Sequence, residues 1–209
     1  MTTKTTLANA ALALLGEAAI SDIDDTTSAP ARTCKQLIDA ALGETLRMGR
    51  WNSATRRATL ARLAEEPPVD SFGFYYQLPH DCLRVMEVNG EEFGDSTEFF
   101  EVEGDKLACD DETVSLRYIS AEDISKLDPL LQNAISLRLA HKIAIRLTGS
   151  AEKSAFMLQL FAKALAEARQ VDAQESGSRE NTGWARIGSR SRLLNQRRRS
   201  RNPLRKEDF

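Results

Sequence analysis

The chain has 209 residues, of which 42% are apolar and 28% are charged, a balance that excludes a wholly disordered protein. No apolar run approaches the roughly 18 residues of a membrane span, and the N-terminus lacks the order of a secretory signal, so we expect a protein made and kept in a cytoplasm. Residues 176–209 carry ten basic and three acidic side chains, a net charge of +7, whereas residues 1–175 carry a net charge of −10. This asymmetry favours a C-terminal arm that binds an anionic partner.

Two helices are predicted at the start of the chain. The first begins at a Thr6 cap and ends at Gly16, because apolar side chains recur between them at helical spacing. The second begins after Ser28, with Pro30 in its first turn, and ends at Gly49. Its expected buried face consists of Cys34, Leu37, Ile38, Ala41, Leu42, Thr45 and Met48.

The middle of the chain shows the period-two alternation of half-buried strands. Residues 72–78 alternate in this way, residues 83–88 end in the hairpin signal Asn89-Gly90, and two further strands are expected at 99–103 and 113–119. Residues 53–63 fit either a strand or a helix, since periodicity alone does not separate the two. We therefore expect four or five short antiparallel strands that form a small sheet or sandwich.

Two more helices are predicted after the strands. Asp128 and Pro129 begin the third, which we expect to be the longest, and Gly149-Ser150 separates it from the fourth. The third should bury Leu131, Ile135, Leu139, Ile143 and Leu147 on one face and carry Arg138, Lys142 and Arg146 on another. The fourth should bury Phe156, Met157, Leu160, Phe161, Ala164 and Ala168.

These elements predict an α+β fold with three parts. A four-helix bundle comprises residues 1–52 and 121–175, and a small antiparallel β-domain, residues 53–120, is inserted between its second and third helices. An extended basic C-terminal arm follows at residues 176–209, where no apolar stripe could form a core.

The sequence carries no motif of a known catalytic or metal site. It has no phosphate-binding loop, dinucleotide turn, zinc-protease helix or nucleophile elbow. His80 and His141 have no cysteine or carboxylate at ligand spacing, and Cys34, Cys82 and Cys109 form no CxxC pair, so we expect packed, reduced thiols. No catalytic residue, no metal and no cofactor is predicted, and we do not expect an enzyme.

The basic arm has three interpretations. It binds nucleic acid through phosphates, it docks onto an acidic protein groove, or it is a solvated segment without a partner. Apolar side chains among the arginines favour docking, because a binder of phosphates does not need them. The candidate docking residues are Trp184, Arg190, Arg192, Leu193, Leu194, Arg197, Arg198, Arg199 and Arg201.

Several stretches of the sequence resemble a known family. They are Asn9-Ala10 with Leu14-Leu15-Gly16-Glu17, then Leu46 to Trp51 with Ala54-Thr55-Arg56-Arg57, and then Tyr76-Gln77-Leu78-Pro79-His80-Asp81-Cys82-Leu83-Arg84-Val85. They look like the tail tubular protein A family, the head-to-tail adaptors of short-tailed bacteriophages. The helical stretch from Leu130 to Leu147 also fits, so the resemblance covers nearly the whole chain and is most specific in its middle.

The resemblance implies a structural virion protein without enzymatic activity, assembled in the host cytoplasm into the connector of the tail. Members of the family form a dodecameric ring beneath the portal protein and link it to the tail nozzle, a tubular protein B-like partner. Genome DNA passes through the ring without sequence-specific contact. The resemblance also implies that residues 54–63 enter the β-domain as a strand. The arm would then dock on the portal, and Arg138, Lys142 and Arg146 are the candidates for contact between neighbouring subunits.

Two other functions stay open from the residues alone. One is a nucleic-acid-binding protein that uses the basic tail as a DNA clamp, although the net charge of −10 on residues 1–175 would repel a duplex. The other is an enzyme whose site has no recognisable motif, which would require a deep pocket with converging ionisable groups.

Overall fold

Helices α1 (Lys4–Leu15) and α2 (Ala29–Arg47) begin the chain in the computed structural model, which describes residues 2–25, 27–68, 72–92 and 99–175. The predicted Thr6 cap is wrong by one turn. Thr3 caps α1, and its hydroxyl accepts a bond from the Thr6 N–H while the Thr6 hydroxyl accepts one from the Thr3 N–H. Gly16, at φ +79°, ends α1 as predicted. The Ser28 cap of α2 is also confirmed.

Seven strands in the described residues form two antiparallel sheets, more than the four or five predicted. They are β1 (Thr55–Leu60), β2 (Phe74–Gln77), β3 (Cys82–Val88), β4 (Glu91–Glu92), β5 (Phe100–Glu103), β6 (Lys106–Cys109) and β7 (Val114–Ser120). The first sheet has the order β1-β7-β3-β4 and the second β2-β6-β5. An isolated bridge pairs Tyr76 of β2 with Arg62, two residues after the end of β1. The strand implied at residues 54–63 is present as β1.

Strands β4 and β6 were not predicted from the sequence, for two different reasons. β4 has only two residues, both glutamates, which give no apolar alternation. In β6, Leu107, Ala108 and Cys109 are all buried, so successive side chains on both faces are covered and the period of two is lost. The Asn89-Gly90 turn between β3 and β4 is confirmed, with φ +51° and +93° at the two residues.

Helices α3 (Pro129–Thr148) and α4 (Ala151–Glu175) complete the described chain. The third helix is not the longest, since α4 has 25 residues and α3 has 20. Asp128 caps α3 as predicted, because its carboxylate accepts bonds from the N–H groups of Leu130 and Leu131.

α3 lies at the centre of the helices and packs against α1, α2 and α4. Four of its five predicted core residues are confirmed as fully buried, and Leu147 is half-buried: the four are Leu131, Ile135, Leu139 and Ile143. Two residues outside α3 that were predicted to be buried are exposed instead. Met48 is 38% exposed and Phe156 is 53% exposed. Phe156 precedes Met157, which belongs to the buried core of the helices, and successive residues of an α-helix point about 100° apart around its axis.

Two hydrophobic cores support these elements. One lies between the two sheets and includes Tyr76, Leu107 and Leu116. The other lies among the helices and includes Met86 and Ile119, which the first sheet contributes from β3 and β7. The described elements belong to one compact unit that ends at Glu175.

The fold is therefore α+β, with four helices and two antiparallel sheets in the described residues. The strands of the described residues fall between α2 and α3 in the chain, from Thr55 to Ser120, near the predicted limits of 53–120. The division of the chain into a helical bundle and an inserted β-domain stays a prediction, and the arm at 176–209 lies outside the described residues.

Candidate functional site

The most specific part of the family resemblance lies where α2 meets the first sheet. Trp51 is 1% exposed, and its indole Nε1 donates to the carbonyl oxygens of Leu46, at 3.1 Å, and Thr45, at 3.4 Å, in the last turns of α2. Gly49 leaves space for this ring, because a Cβ at that position would lie 2.4 Å from Cε2 of Trp51. The Thr55 hydroxyl then donates to the Trp51 carbonyl at 2.7 Å, which fixes the start of β1.

Arginines from three elements meet at the same helix end. Arg84 of β3 donates to the Arg47 carbonyl at 3.2 Å, Arg169 of α4 donates to the Met48 carbonyl, and Arg47 donates to the Leu83 carbonyl at 2.5 Å. Cations stabilise the C-terminal end of a helix because its carbonyl groups carry partial negative charge. Within the described part of the chain, no carboxylate pairs with any of the three guanidinium groups. We call Arg47, Met48, Arg84 and Arg169 the junction patch.

The last turns of α4 are attached to the same region. The Asn52 N–H donates to Asp172 Oδ1 at 2.8 Å, and the Asn52 side-chain amide donates to the Asp172 carbonyl at 3.1 Å. Burial raises the pKa of Asp172, while the bond from the Asn52 N–H opposes that shift. The helix that leads into residues 176–209 is therefore held at the junction of helices and sheets.

The basic residues predicted on α3 face α2. Arg138 donates to Glu44 Oε2 from Nε, at 3.0 Å, and from Nη2, at 2.7 Å, and Lys142 donates to Glu44 Oε1 at 2.7 Å. The guanidinium of Arg138 also lies 5.2 Å from the centre of the Phe161 ring. Arg146, one turn later, donates to the side-chain oxygen of Gln36 at 2.7 Å. We call Arg138, Lys142 and Arg146 the basic stripe.

Glu44 is the residue of this cluster that the sequence did not indicate. Burial alone would raise the pKa of its carboxyl group. The hydrogen bonds and positive charges of Lys142 and Arg138 together have a larger, opposite effect, so the pKa is below its ordinary value. The carboxylate is therefore ionised at neutral pH and attaches α2 to α3. A single glutamate on a predicted helix gives no signal of its partner, because the pairing depends on how two helices distant in sequence pack.

The three members of the basic stripe differ in the partners that they have within their own chain. Arg138 and Lys142 already have a carboxylate partner in their own chain, and their side chains are only 18% and 20% exposed. Arg146 is exposed and bonded to an uncharged amide, so its charge is not neutralised by that bond. Contact of this stripe with a neighbouring subunit stays a prediction.

The predicted docking residues of the arm lie outside the described residues, and their role stays a prediction. They are Trp184, Arg190, Arg192, Leu193, Leu194, Arg197, Arg198, Arg199 and Arg201.

The cysteines and His141 occupy structural positions. Cys34, Cys82 and Cys109 form no disulfide, and burial raises the pKa of each to about 11, so all three are protonated thiols at neutral pH. His141 Nδ1 lies 2.9 Å from the Ser154 carbonyl oxygen and 3.0 Å from its hydroxyl, a contact that connects α3 with α4.

The described ranges contain no cluster of three or more His, Cys, Asp or Glu side chains arranged to hold a metal ion. In the same part of the chain, no helix is both long and apolar enough to cross a bilayer.

No protein-family model matches the sequence, and no curated protein matches it either.

Proposed function

We propose that the protein is a structural component of a bacteriophage virion, a head-to-tail adaptor whose copies form a ring between the portal protein and the tail nozzle. The observation that carries the proposal is the sequence of residues 46–57 and 76–85, which resembles the tail tubular protein A family. The ring is expected to be a dodecamer, and genome DNA would leave the capsid through its channel.

The contacts of the resembling residues support a role as scaffold. Asn9 of α1 donates to the Ile20 carbonyl at 2.9 Å and accepts from the Ile20 N–H at 2.8 Å, which fixes the loop after α1. Asp81 accepts bonds from the hydroxyl groups of Ser120, at 2.5 Å, and Tyr118, at 3.3 Å, which fixes β3 beside β7. These side chains hold structural elements together, as a load-carrying connector requires.

In the proposed ring the four helices act as a bundle around α3, and the bundles of neighbouring copies pack laterally. The inserted sheets, within residues 53–120, would face the nozzle, and the arm at 176–209 would reach the portal. The arm carries a net charge of +7 together with Trp184, Leu193 and Leu194 as apolar anchors. The planar guanidinium group of an arginine can donate two parallel hydrogen bonds to one carboxylate. Apolar side chains can fill pockets on the surface of a protein partner.

A ring raises the overall affinity of arms that each bind weakly. Ordering a polar segment costs roughly 1–2 kcal/mol per residue, so a single arm would bind weakly. Many arms that engage one symmetric partner bind at high effective concentration, and their combined affinity is much greater.

Assembly on portal rings tests the function. Purified protein is mixed with portal rings of the same phage, and the bound subunits are counted by native mass spectrometry. We expect deletion of residues 186–209 to leave a folded protein that no longer joins the portal. Leu193→Asp with Leu194→Asp should have the same effect while keeping the arginines. A truncated protein that joins portal rings at wild-type stoichiometry would show that the arm is not the docking element.

A DNA clamp is the second candidate, and the charge of +7 on residues 176–209 favours it. A clamp would bind bare duplex DNA, and its affinity would fall steeply as salt is raised, because each neutralised phosphate releases counterions. An adaptor would join portal rings whether or not DNA is added. Fluorescence anisotropy of a labelled duplex over a salt series therefore separates the two functions.

A further inference from the structure

Neighbouring copies in a ring of this protein would repel one another unless oppositely charged surfaces meet. Residues 1–175 carry a net charge of −10, and bodies of one sign disfavour close association. A ring also needs a heterologous contact, in which two different surfaces of the same chain face each other across the interface. The described residues contain two surfaces that meet both requirements.

The basic surface is the junction patch. Within the described residues each of its guanidinium groups donates one hydrogen bond, to a backbone carbonyl. An arginine has five N–H donors, so donors remain for a partner. Arg47 and Arg169 are exposed, Arg84 is half-buried, and Met48 is 38% exposed among them. Arginine and methionine are both enriched at protein interfaces, so an exposed methionine whose backbone carbonyl is bound by Arg169 is consistent with such a surface.

The acidic surface lies at the hairpin between β5 and β6 of the second sheet and includes the adjacent segment after β1. Its carboxylates are Glu65, Glu101, Glu103 and Asp105, and Lys106 is the cation among them. We call these five residues the acidic hairpin face, and their net charge is −3.

Contacts within the acidic hairpin face show that its members are neighbours. Lys106 pairs with Glu65 at 2.5 Å and lies opposite Glu103 in the strand register. The Tyr75 hydroxyl donates to Glu103 at 2.6 Å. That bond, followed by burial and by the charges of Glu103, Glu65 and Glu101, raises the pKa of Tyr75 to about 12. One cation therefore faces several carboxylates, and β5 lies at the edge of its sheet, with no neighbouring strand beyond it among the described residues.

We infer that the junction patch of one copy docks on the acidic hairpin face of a second copy. The inference rests on the proposed ring, and it adds a specific contact between neighbouring subunits to the lateral packing of their bundles. The patch is built from α2, β3 and α4, whereas the acidic hairpin face is built from β5, β6 and the segment after β1. Because the two surfaces belong to different elements, each copy presents both, and the contact repeats head to tail.

A charge-reversal experiment with two separate variants tests the interface. Variant one carries Arg84→Glu and Arg169→Glu, and variant two carries Glu101→Lys and Asp105→Lys. Self-association of the full-length protein is measured by sedimentation velocity over a concentration series. Each variant alone should associate at least about tenfold more weakly than wild type, because like charges then face each other. An equimolar mixture should regain association, since the reversed surfaces are complementary to one another.

The controls separate the interface from other effects of charge and folding. Lys35→Glu with Lys163→Glu changes the net charge as much as variant one does, but on exposed side chains outside both surfaces, and should leave association unchanged. Thermal melting followed by circular dichroism checks that each variant folds. Variant two leaves the bonds of the junction intact, so it tests the interface even if variant one unfolds.

Three results would overturn the inference: a wild-type protein that is monomeric at every concentration, a mixture that does not regain association, or loss of duplex DNA binding by variant one. The third result would show that the junction patch binds the phosphate groups of DNA and not a second copy of the chain. Failure of the proposed interface can be distinguished from failure of the proposed adaptor function. If variant one still forms a complete portal-bound ring, the interface is wrong and the adaptor function stands. If wild-type protein does not join portal rings, the adaptor function is wrong whatever the self-association shows.

Discussion

Reversal of the charge of Arg138 should destabilise the folded protein, and the same change at Arg146 should not. Both residues lie on the face of α3 that was predicted from the sequence to contact a neighbouring subunit. Arg138 makes two bonds with the Glu44 carboxylate, whereas Arg146 bonds to the amide of Gln36. The pair of variants therefore separates packing within the chain from contact between chains.

The magnitude for Arg138→Glu follows from its contacts. Hydrogen bonds to a charged group contribute about 1.5–3 kcal/mol each, and the contact with Phe161 adds about 0.5–1 kcal/mol. The Glu44 side chain is 39% exposed, so solvent screening reduces the first contribution substantially. We expect a loss of about 2–3 kcal/mol in the free energy of unfolding, partly because the new carboxylate would face Glu44. Arg146→Glu should change it by less than about 0.5 kcal/mol.

Urea unfolding followed by far-ultraviolet circular dichroism measures both variants, with linear extrapolation to water. Equal and small changes in the two variants would refute the reasoning, because the Glu44 contacts would then contribute nothing to the packing of α2 on α3. Portal assembly measured on the same samples gives the second readout. If the face also contacts a neighbour, Arg146→Glu should impair ring formation while its unfolding curve matches that of wild type.

Two further predictions concern the packing and titration of α2. Gly49→Ala should destabilise the protein by about 1–3 kcal/mol, because the new Cβ would overlap the Trp51 ring. Gly43→Ala should stabilise it by about 0.5–1 kcal/mol, because the space around the new Cβ is open. Thermal melting of both variants checks the sign of each change. The pKa of Glu44 is lowered in the folded protein from its ordinary value of 4.5. The stabilisation that its ionised form gives is therefore present above that ordinary value and is lost as the pH falls through the lowered one. Glu44→Gln should therefore be less stable than wild type at neutral pH and lose less stability during acid titration, and parallel acid denaturation curves of the two proteins would contradict this.

Local signals in the sequence predicted several ends of elements, although the cap of α1 is Thr3 and not the predicted Thr6. Ser28 and Asp128 cap helices, and Gly16 adopts a left-handed conformation at a helix end, because these preferences depend on a few neighbouring residues. The turn at Asn89-Gly90 was predicted for the same reason.

Features that depend on distant packing could not be predicted in this way. Met48 and Phe156 were expected to be buried because they are apolar and near a helical stripe, yet only the arrangement of neighbouring helices decides which flank of the stripe is covered. The basic stripe was recognised from its spacing, but its partner Glu44 lies 94 residues from Arg138 in the chain. The arginines of the junction patch come from three elements, so no single stretch of sequence reveals them.

The central position of α3 has a consequence for the order of folding during synthesis. α1 and α2 leave the ribosome first, but the helix that covers their apolar faces begins only at Pro129, after every strand between Thr55 and Ser120. Contacts so distant in sequence form slowly, because a long loop has to close before they are gained. The α3–α4 hairpin, by contrast, needs only its own residues. We therefore expect the two N-terminal helices to remain exposed until the hairpin emerges, a period in which chaperones would be their main protection from aggregation.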